Sequence, residues 1–236
     1  METYHKIQTL FKRHLDGPNK GKMIKGQWTT PALEYLSRNQ WEFTEKVDGT
    51  NIRIGMYDDE NLRRRMDFRG RSDNATLPEP LKVFLQNTFT PEAFEKAGIG
   101  GDCVLFGEGY GPKIQNGGLY RDDQSFVLFD VKIGGFWLER HNVDDIANKL
   151  GIESVPTLGH GTLYDAIDIV ESGLTWDNHG KMTNWGGSIN GKRKFAGLRS
   201  QWGDFEAEGI VARTKTPLFD RRGERMITKI KAVDFK

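Results

Sequence analysis

Three strand-like stretches do most to fix the class of fold open to this chain. Residues 50–57 read TNIRIGMY, where Ile52, Ile54 and Met56 alternate with other residues as one face of a half-buried strand. The runs CVLF (103–106) and SFVLFDVKI (125–133) are nearly continuous in apolar residues and read as buried strands. Helical signals between them are short. In NVDDIANKLG, Val143, Ile146, Ala147 and Leu150 fall on one helical face, with Asn142 placed to cap and Gly151 to terminate. Thr30 with Pro31, and Thr90 with Pro91, have the cap-then-proline form of further helix starts. Strands grouped between scattered helices, without regular strand-helix-strand alternation, predict an α+β fold with antiparallel sheets.

At 236 residues, with no internal repeat and no low-complexity linker, the chain is expected to form one domain over 1–236. Residues 1–40 are expected to form an N-terminal extension packed on it. No apolar run approaches the ~20 residues that span a bilayer, and the N-terminus carries charges where a signal peptide needs its apolar core. The expectation is a soluble, cytoplasmic protein with no membrane partner. The lone Cys103 excludes an internal disulfide and a cysteine-based metal cluster. The five histidines show no metal-ligand spacing. A net charge of +1 hides a segregation: Lys6–Lys25 holds six basic residues against one acid, and Arg213–Lys236 eight against three. Brought together, these ends would make a basic groove for a polyphosphate; apart, they are solvated charge.

The segment TEKVDGTNIR places Lys46 at the end of a strand, before an Asp48-Gly49 turn. An amine there stands at the rim of a sheet, where it can attack phosphorus. With a reference pKa near ~10.4, such a nucleophile needs neighbouring cations or desolvation to shed its proton. Taken alone, the four residues Lys46–Gly49 also fit an ordinary surface turn. Lys229 and Lys231 alternate in MITKIK, so on a strand both project from one face. Two adjacent ammonium groups call for an anion between them, and a triphosphate supplies one; lysines guarding an edge strand are the alternative. Glu108 and Glu208 sit beside glycines, where backbone can approach a ligand closely. Exposed turn carboxylates are the plain alternative for both. Phe129 is expected on a strand face with Val127 and Val131, as core packing or as a wall against a planar ligand. The run GGSINGK (186–192) imitates a phosphate-binding loop, but Arg193 replaces the Ser or Thr that would bind Mg²⁺. Lys192, Arg193, Lys194 and Arg199 read instead as a basic loop near nucleic acid, or as solvated charge.

In order after Lys46 come RGRSDNA with Arg71, LFGEGYGPKIQNGG with Glu108, SFVLFDV with Phe129 and Asp130, EAEGIVAR with Glu208, and MITKIKAVDF with Lys229 and Lys231. This ordered set resembles the motifs of the covalent lysine nucleotidyltransferase superfamily, which holds ATP-dependent DNA and RNA ligases and mRNA capping enzymes. Within it the chain most resembles the RNA ligase 2 family. Asn51 stands five residues after the lysine, where DNA ligases and capping enzymes carry arginine, and the GEGYGP run continues into Ile114-Gln115 as in that family.

The resemblance implies a nucleotidyltransferase domain, ATP-grasp-like, with antiparallel sheets flanked by helices. It implies ATP and Mg²⁺ or Mn²⁺ as cofactors and a lysyl-AMP intermediate on Lys46. AMP then passes to a 5′-phosphate end, and a 3′-hydroxyl displaces it, at nicks in duplexes. By resemblance Lys229 and Lys231 contact the α-phosphate, Glu108 the ribose, and Phe129 stacks on adenine. Glu45 and Asn51 bind the nucleotide, Arg71 meets the nucleotide phosphate or the nucleic-acid end, and Glu208 holds a hydrated metal. The implied partner is nucleic acid with 5′-phosphate and 3′-hydroxyl ends: RNA first, with DNA or hybrid ends as further candidates. The rival readings are a small DNA ligase, a capping-type guanylyltransferase using GTP, and a catalytically silent nucleic-acid-binding module. Only 45 residues precede Lys46 and five follow Lys231, so neither an appended OB-fold nor a helical C-terminal domain is expected. An accessory nucleic-acid-binding protein is then a further expected partner.

Overall fold

The computed structural model describes residues 1–176, 182–184 and 197–236. The chain divides into two compact units, each with its own core, where the sequence suggested one domain. The outer unit comprises His5–Lys46 and Pro156–Lys236; the central unit comprises Met1–Tyr4 and Val47–Val155. Two separate apolar clusters explain the division, since every member of each cluster lies within one unit.

Along the chain, the outer unit begins with β1 (Gln8–Thr9), β2 (Phe11–Arg13), β3 (Met23–Trp28), α1 (Pro31–Tyr35) and β4 (Trp41–Glu45). The central unit follows with β5 (Thr50–Asp58), β6 (Arg64–Arg69), α2 (Glu79–Thr88), α3 (Pro91–Lys96), β7 (Cys103–Tyr110), β8 (Ser125–Ile133), β9 (Phe136–Trp137), α4 (Arg140–Leu150) and β10 (Glu153–Ser154). The chain then returns to the outer unit through β11 (Thr157–Gly161), α5 (Leu163–Ser172), β12 (Leu174–Trp176), β13 (Met182–Asn184), β14 (Gly209–Thr214) and β15 (Ile227–Lys231).

The main sheet of the outer unit runs β1-β15-β14-β4-β11, antiparallel throughout except for the parallel pair β1 and β15. Its core face carries Trp41, Phe43, Ile210, Ala212 and Ile230, covered by Leu163, Ala166, Ile169 and Val170 of α5. A capping box in which Thr162 and Asp165 satisfy each other's backbone N–H groups starts α5. Residues 1–40, expected as an extension packed on the domain, contribute a strand to the sheet itself: β1 is an edge strand, with Gln8 opposite Thr228 and Thr9 opposite Lys229. The two basic ends of the chain therefore lie in one unit, joined again where Arg13 pairs with Asp234 at 2.6 Å.

The central sheet runs β10-β8-β7-β5-β6, with β9 added to β8, and only β10 and β8 pair in parallel. Ile52, Ile54 and Met56 alternate into its core, as the sequence predicts, against Leu81 and Leu85 of α2. Thr30 and Thr90 cap their helices as expected, each side chain accepting a backbone N–H. Helix α4 differs at its start. It begins two residues before Asn142, with Glu139 at the N-cap position, because buried Arg140 pairs with Asp144 one turn on and donates to the Phe129 carbonyl. Gly151 ends it in the left-handed conformation, as predicted. Cys103 is buried, and desolvation pushes its thiol up to about 12, which leaves it inert.

Candidate active site

In the outer unit, the last residue of β4 is Glu45 and the next is Lys46. Trp41, Phe43 and Glu45 point to the core face, so Lys46, two residues beyond Thr44, emerges on the opposite face. Its ammonium lies 2.6 Å from Glu208 Oε2, and Lys231 Nζ lies 2.7 Å from Glu208 Oε1. One carboxylate thus bridges two lysines contributed by different strands. All three side chains are largely but not wholly buried, at 21%, 16% and 31% exposure for Lys46, Glu208 and Lys231. Lys229 lies two residues before Lys231, on the same face, while Thr228 and Ile230 are buried on the other. Since β15 is paired on both sides, its lysines do not guard a sheet edge.

Backbone geometry holds Glu208 in place. Its carbonyl accepts from Ala232 N–H, and the Gly209 carbonyl accepts from Lys46 N–H at 2.9 Å. Gly209 has φ +148°, and a Cβ there would lie 2.0 Å from the Ile230 carbonyl oxygen. No other residue fits at this crossing of β14 and β15. Farther along that face, Glu42 stands 3.7 Å from Arg213 and 3.4 Å from His160, an acid-base cluster with no mark in the sequence.

Glu45 takes a different part from its neighbour. Its side chain is 1% exposed, and one carboxylate oxygen accepts from Gln201 N–H at 2.8 Å. Burial pushes its carboxyl up to about 7, against the opposing pull of hydrogen bonds from Ser200 and Gln201.

In the central unit, β5 and β7 set Asn51 directly opposite Glu108, so these two expected nucleotide contacts are cross-strand neighbours. Asn51 Oδ1 is buried without a hydrogen-bond partner, an acceptor that wants a donor. The preceding turn is tightly fitted: a Cβ on Gly49 would lie 2.4 Å from the Gly109 carbonyl oxygen. Asp48 accepts from Asn116 Nδ2 at 2.6 Å, while its own N–H donates to the Tyr120 hydroxyl. The GYGPKIQNGG segment that supplies Asn116 turns sharply, with Lys113 and Gln115 both at positive φ.

Phe129 departs from simple alternation. Phe106 pairs with Asp130 and Gly107 with Leu128, so Phe129 is the extra residue of a β-bulge. The expected common face with Val131 is lost, because Leu128 and Val131 both enter the core cluster. Phe129 remains half-buried, and the ring of Tyr4 meets it edge-on at 5.1 Å. Tyr4 also touches Phe106 and Trp137 and donates its hydroxyl to buried Asp130 at 2.5 Å. Arg71 is exposed, on the loop that follows β6. Tyr4 and Arg53, which support these positions from within the unit, were not singled out by any motif, whereas Asp130, the acceptor for Tyr4, belongs to the SFVLFDV motif. The GGSINGK run with Lys192, Arg193 and Lys194 lies outside the described residues; Arg199 lies within them and donates to the Gly203 carbonyl.

Among the described residues no group of three or more His, Cys, Asp or Glu side chains could enclose a metal ion. A metal at this site would have Glu208 as its carboxylate and keep most of its water, which suits Mg²⁺ or Mn²⁺.

A lysine at the end of one strand is thus held by a carboxylate that a second lysine shares. Residues 39–231 match the RNA ligase family, and the chain belongs to that family. No curated protein sequence matches it. Among solved structures, a variant of the Naegleria gruberi RNA ligase with ATP and Mn is 18% identical, with a TM-score of 0.55, covering 85% of this chain and 52% of that one. The same ligase with PPi is 16% identical, with a TM-score of 0.58, covering 97% and 61%. A variant with AMP and Mn is 16% identical, with a TM-score of 0.55, covering 85% and 52%. These likenesses show the α+β fold with its antiparallel sheets, and the chain spans 52–61% of the length of the three structures.

Proposed function

We propose that this member of the RNA ligase family is an ATP-dependent polynucleotide ligase that works through a covalent lysyl-AMP. The observation that carries the reading is the Glu208 carboxylate between Lys46 and Lys231. Two ammonium groups that converge on one anion form a site for a phosphate, and the lysine at the strand end is placed to attack it.

The residues divide the work in three displacements at phosphorus. Lys46 Nζ attacks the α-phosphorus of ATP, a P–N bond forms, and pyrophosphate leaves with its electron pair. The AMP then passes to the 5′-phosphate of a nucleic-acid end, and Lys46 recovers its amine. A 3′-hydroxyl finally attacks that activated phosphate, AMP leaves, and a phosphodiester remains. Lys229 and Lys231 meet the charge that gathers on phosphate oxygens at each step. Glu108 and Asn51 hold the nucleoside, and Phe129 stacks on adenine. When bound, a hydrated Mg²⁺ or Mn²⁺ supplies positive charge to the triphosphate and to Glu208. Glu208, whose Oε2 already accepts from Lys46 Nζ at 2.6 Å, is placed to take the proton that the amine gives up as it attacks.

The test is to incubate the purified protein with α-³²P-ATP or α-³²P-GTP and a divalent cation. The expected result is a mass gain of one AMP that Lys46→Ala abolishes. Preferential labelling by GTP, or labelling that survives Lys46→Ala, overturns the reading. Sealing assays on nicked and single-stranded RNA, DNA and hybrid substrates then define the strand chemistry. Affinity for these polyanions is expected to fall steeply with salt.

A further inference from the structure

The central unit buries a cation that the proposed chemistry does not use. Arg53, on β5, has a side chain with 0% exposure. Each of its three guanidinium nitrogens donates: Nε to the Gly70 carbonyl at 2.8 Å, and Nη2 to Asp73 Oδ1 at 2.8 Å. Nη1 donates to the carbonyls of Met1 and Glu2 at 3.2 and 3.1 Å. Gly70 immediately precedes Arg71, and Asp73 follows it by two residues. The buried guanidinium therefore grips the chain on both sides of the exposed arginine.

We propose that Arg53 is a positioning residue for Arg71, fixing the loop from which Arg71 reaches a phosphate. Burying a guanidinium is costly, and an apolar side chain of similar volume would fill the same space more cheaply. What the guanidinium adds is a rigid planar fork that can hold several acceptors at once. Here it holds one acceptor before Arg71 and one after it. The loop is also tight in its own right. Gly70 is buried so close to Ala75 that a Cβ on it would lie 2.7 Å from the Ala75 Cβ, and Ala75 N–H bonds back to the Ser72 carbonyl. An exposed arginine on a free loop would have to order both backbone and side chain on meeting a phosphate. On this loop only the side chain remains to be ordered. The carboxylate of Asp73 lies well below its usual range because it accepts from Arg53, so the clamp is closed at neutral pH.

The inference rests on the proposed contact of Arg71 with a nucleotide or nucleic-acid phosphate, and a double-mutant cycle separates the two. Single-turnover rates of lysine adenylylation and of nick sealing are measured for Arg71→Ala, Asp73→Ala and the double variant, with the melting temperature of each as a control. Asp73 suits the purpose because its side chain is 63% exposed and its removal leaves the other Arg53 bonds in place. Asp73→Ala is expected to slow the same step as Arg71→Ala, by about tenfold, and to cost nothing further in the Arg71→Ala background. Asp73→Asn, which keeps an acceptor, is expected to recover most of that rate. Losses that multiply in the double variant, or full activity of Asp73→Ala, overturn the positioning role while leaving Arg71 its contact. An Arg71→Ala variant with full activity at both steps overturns the Arg71 contact and the positioning role together.

Discussion

The two units hold their site residues by opposite means. In the outer unit the reactive groups hold one another: Lys46, Glu208 and Lys231 are one ion-paired set drawn from distant parts of the chain. In the central unit the groups proposed to meet the nucleotide include neighbours on adjacent strands, and other residues support them. Asn51 faces Glu108 across β5 and β7, Tyr4 backs Phe129, and Arg53 grips the loop of Arg71. A mutually paired set is sensitive to the loss of any member, because the survivors are left with partly buried, uncompensated charge. A supported set yields by degrees.

The sharpest way to break this contrast is Gly209→Ala. A Cβ 2.0 Å from a backbone oxygen, at φ +148°, cannot be accommodated without parting β14 from β15. The expected outcome is complete loss of self-adenylylation and a fall of several kcal/mol in stability, read by denaturant unfolding. Lys231→Ala is expected to leave the fold in place and to remove one cation from the proposed phosphate site. Its adenylylation rate is expected to drop about 10²–10³-fold in a labelling time course, the scale of losing one charge-stabilising donor.

Glu45→Gln tests the outer unit through pH. The folded protein holds the Glu45 proton to about pH 7, whereas the unfolded chain releases it near 4.5. Between those values the native state binds more protons, so stability falls as pH rises through the window. The wild type is expected to lose up to about 3 kcal/mol between pH 4 and 8 from this group. The neutral variant is expected to be flat by comparison and the more stable protein at pH 8, as urea midpoints across the range would show. The smallest effect belongs to the central unit. Phe129→Leu keeps an apolar wall but loses the ring, worth about 1 kcal/mol in stacking. The KM for ATP is expected to rise several-fold with little change in melting temperature.

Much of the site was legible because its signals are local. Strict alternation in MITKIK put Lys229 and Lys231 on one face, and the strand-then-turn pattern around Lys46 put its amine at a strand end. The order of six motifs indicated the family that residues 39–231 then matched. What escaped the sequence was set at long range. The bulge at Phe129 adds one residue that nothing in SFVLFDVKI distinguishes from continuous strand, and it depends on Gly107 approaching Phe126 and Val127 closely. Glu45 sits in the same motif as Lys46, yet alternation turns it into the core, where its partner Gln201 is 156 residues away. The support given by Tyr4 and Arg53 joins Met1–Tyr4 to strands far along the chain, a pairing that composition and periodicity cannot encode. The two-unit division was missed for the same reason, since both cores are assembled from distant segments.

The parallel pairing of β1 with β15 also bears on how the molecule is made. Gln8 waits for Thr228, while all of Val47–Val155 lies between them and belongs to the other unit. On the ribosome, the central unit can therefore fold long before the outer unit has all its strands. Lys46 is synthesised early, but its carboxylate comes from the residue before β14 and the companion lysines from β15. A chain interrupted ahead of β15 would carry Lys46 without Lys229 and Lys231, the two lysines proposed to meet phosphate. Synthesis order thus leaves the proposed nucleophile without these companions until β15 is made.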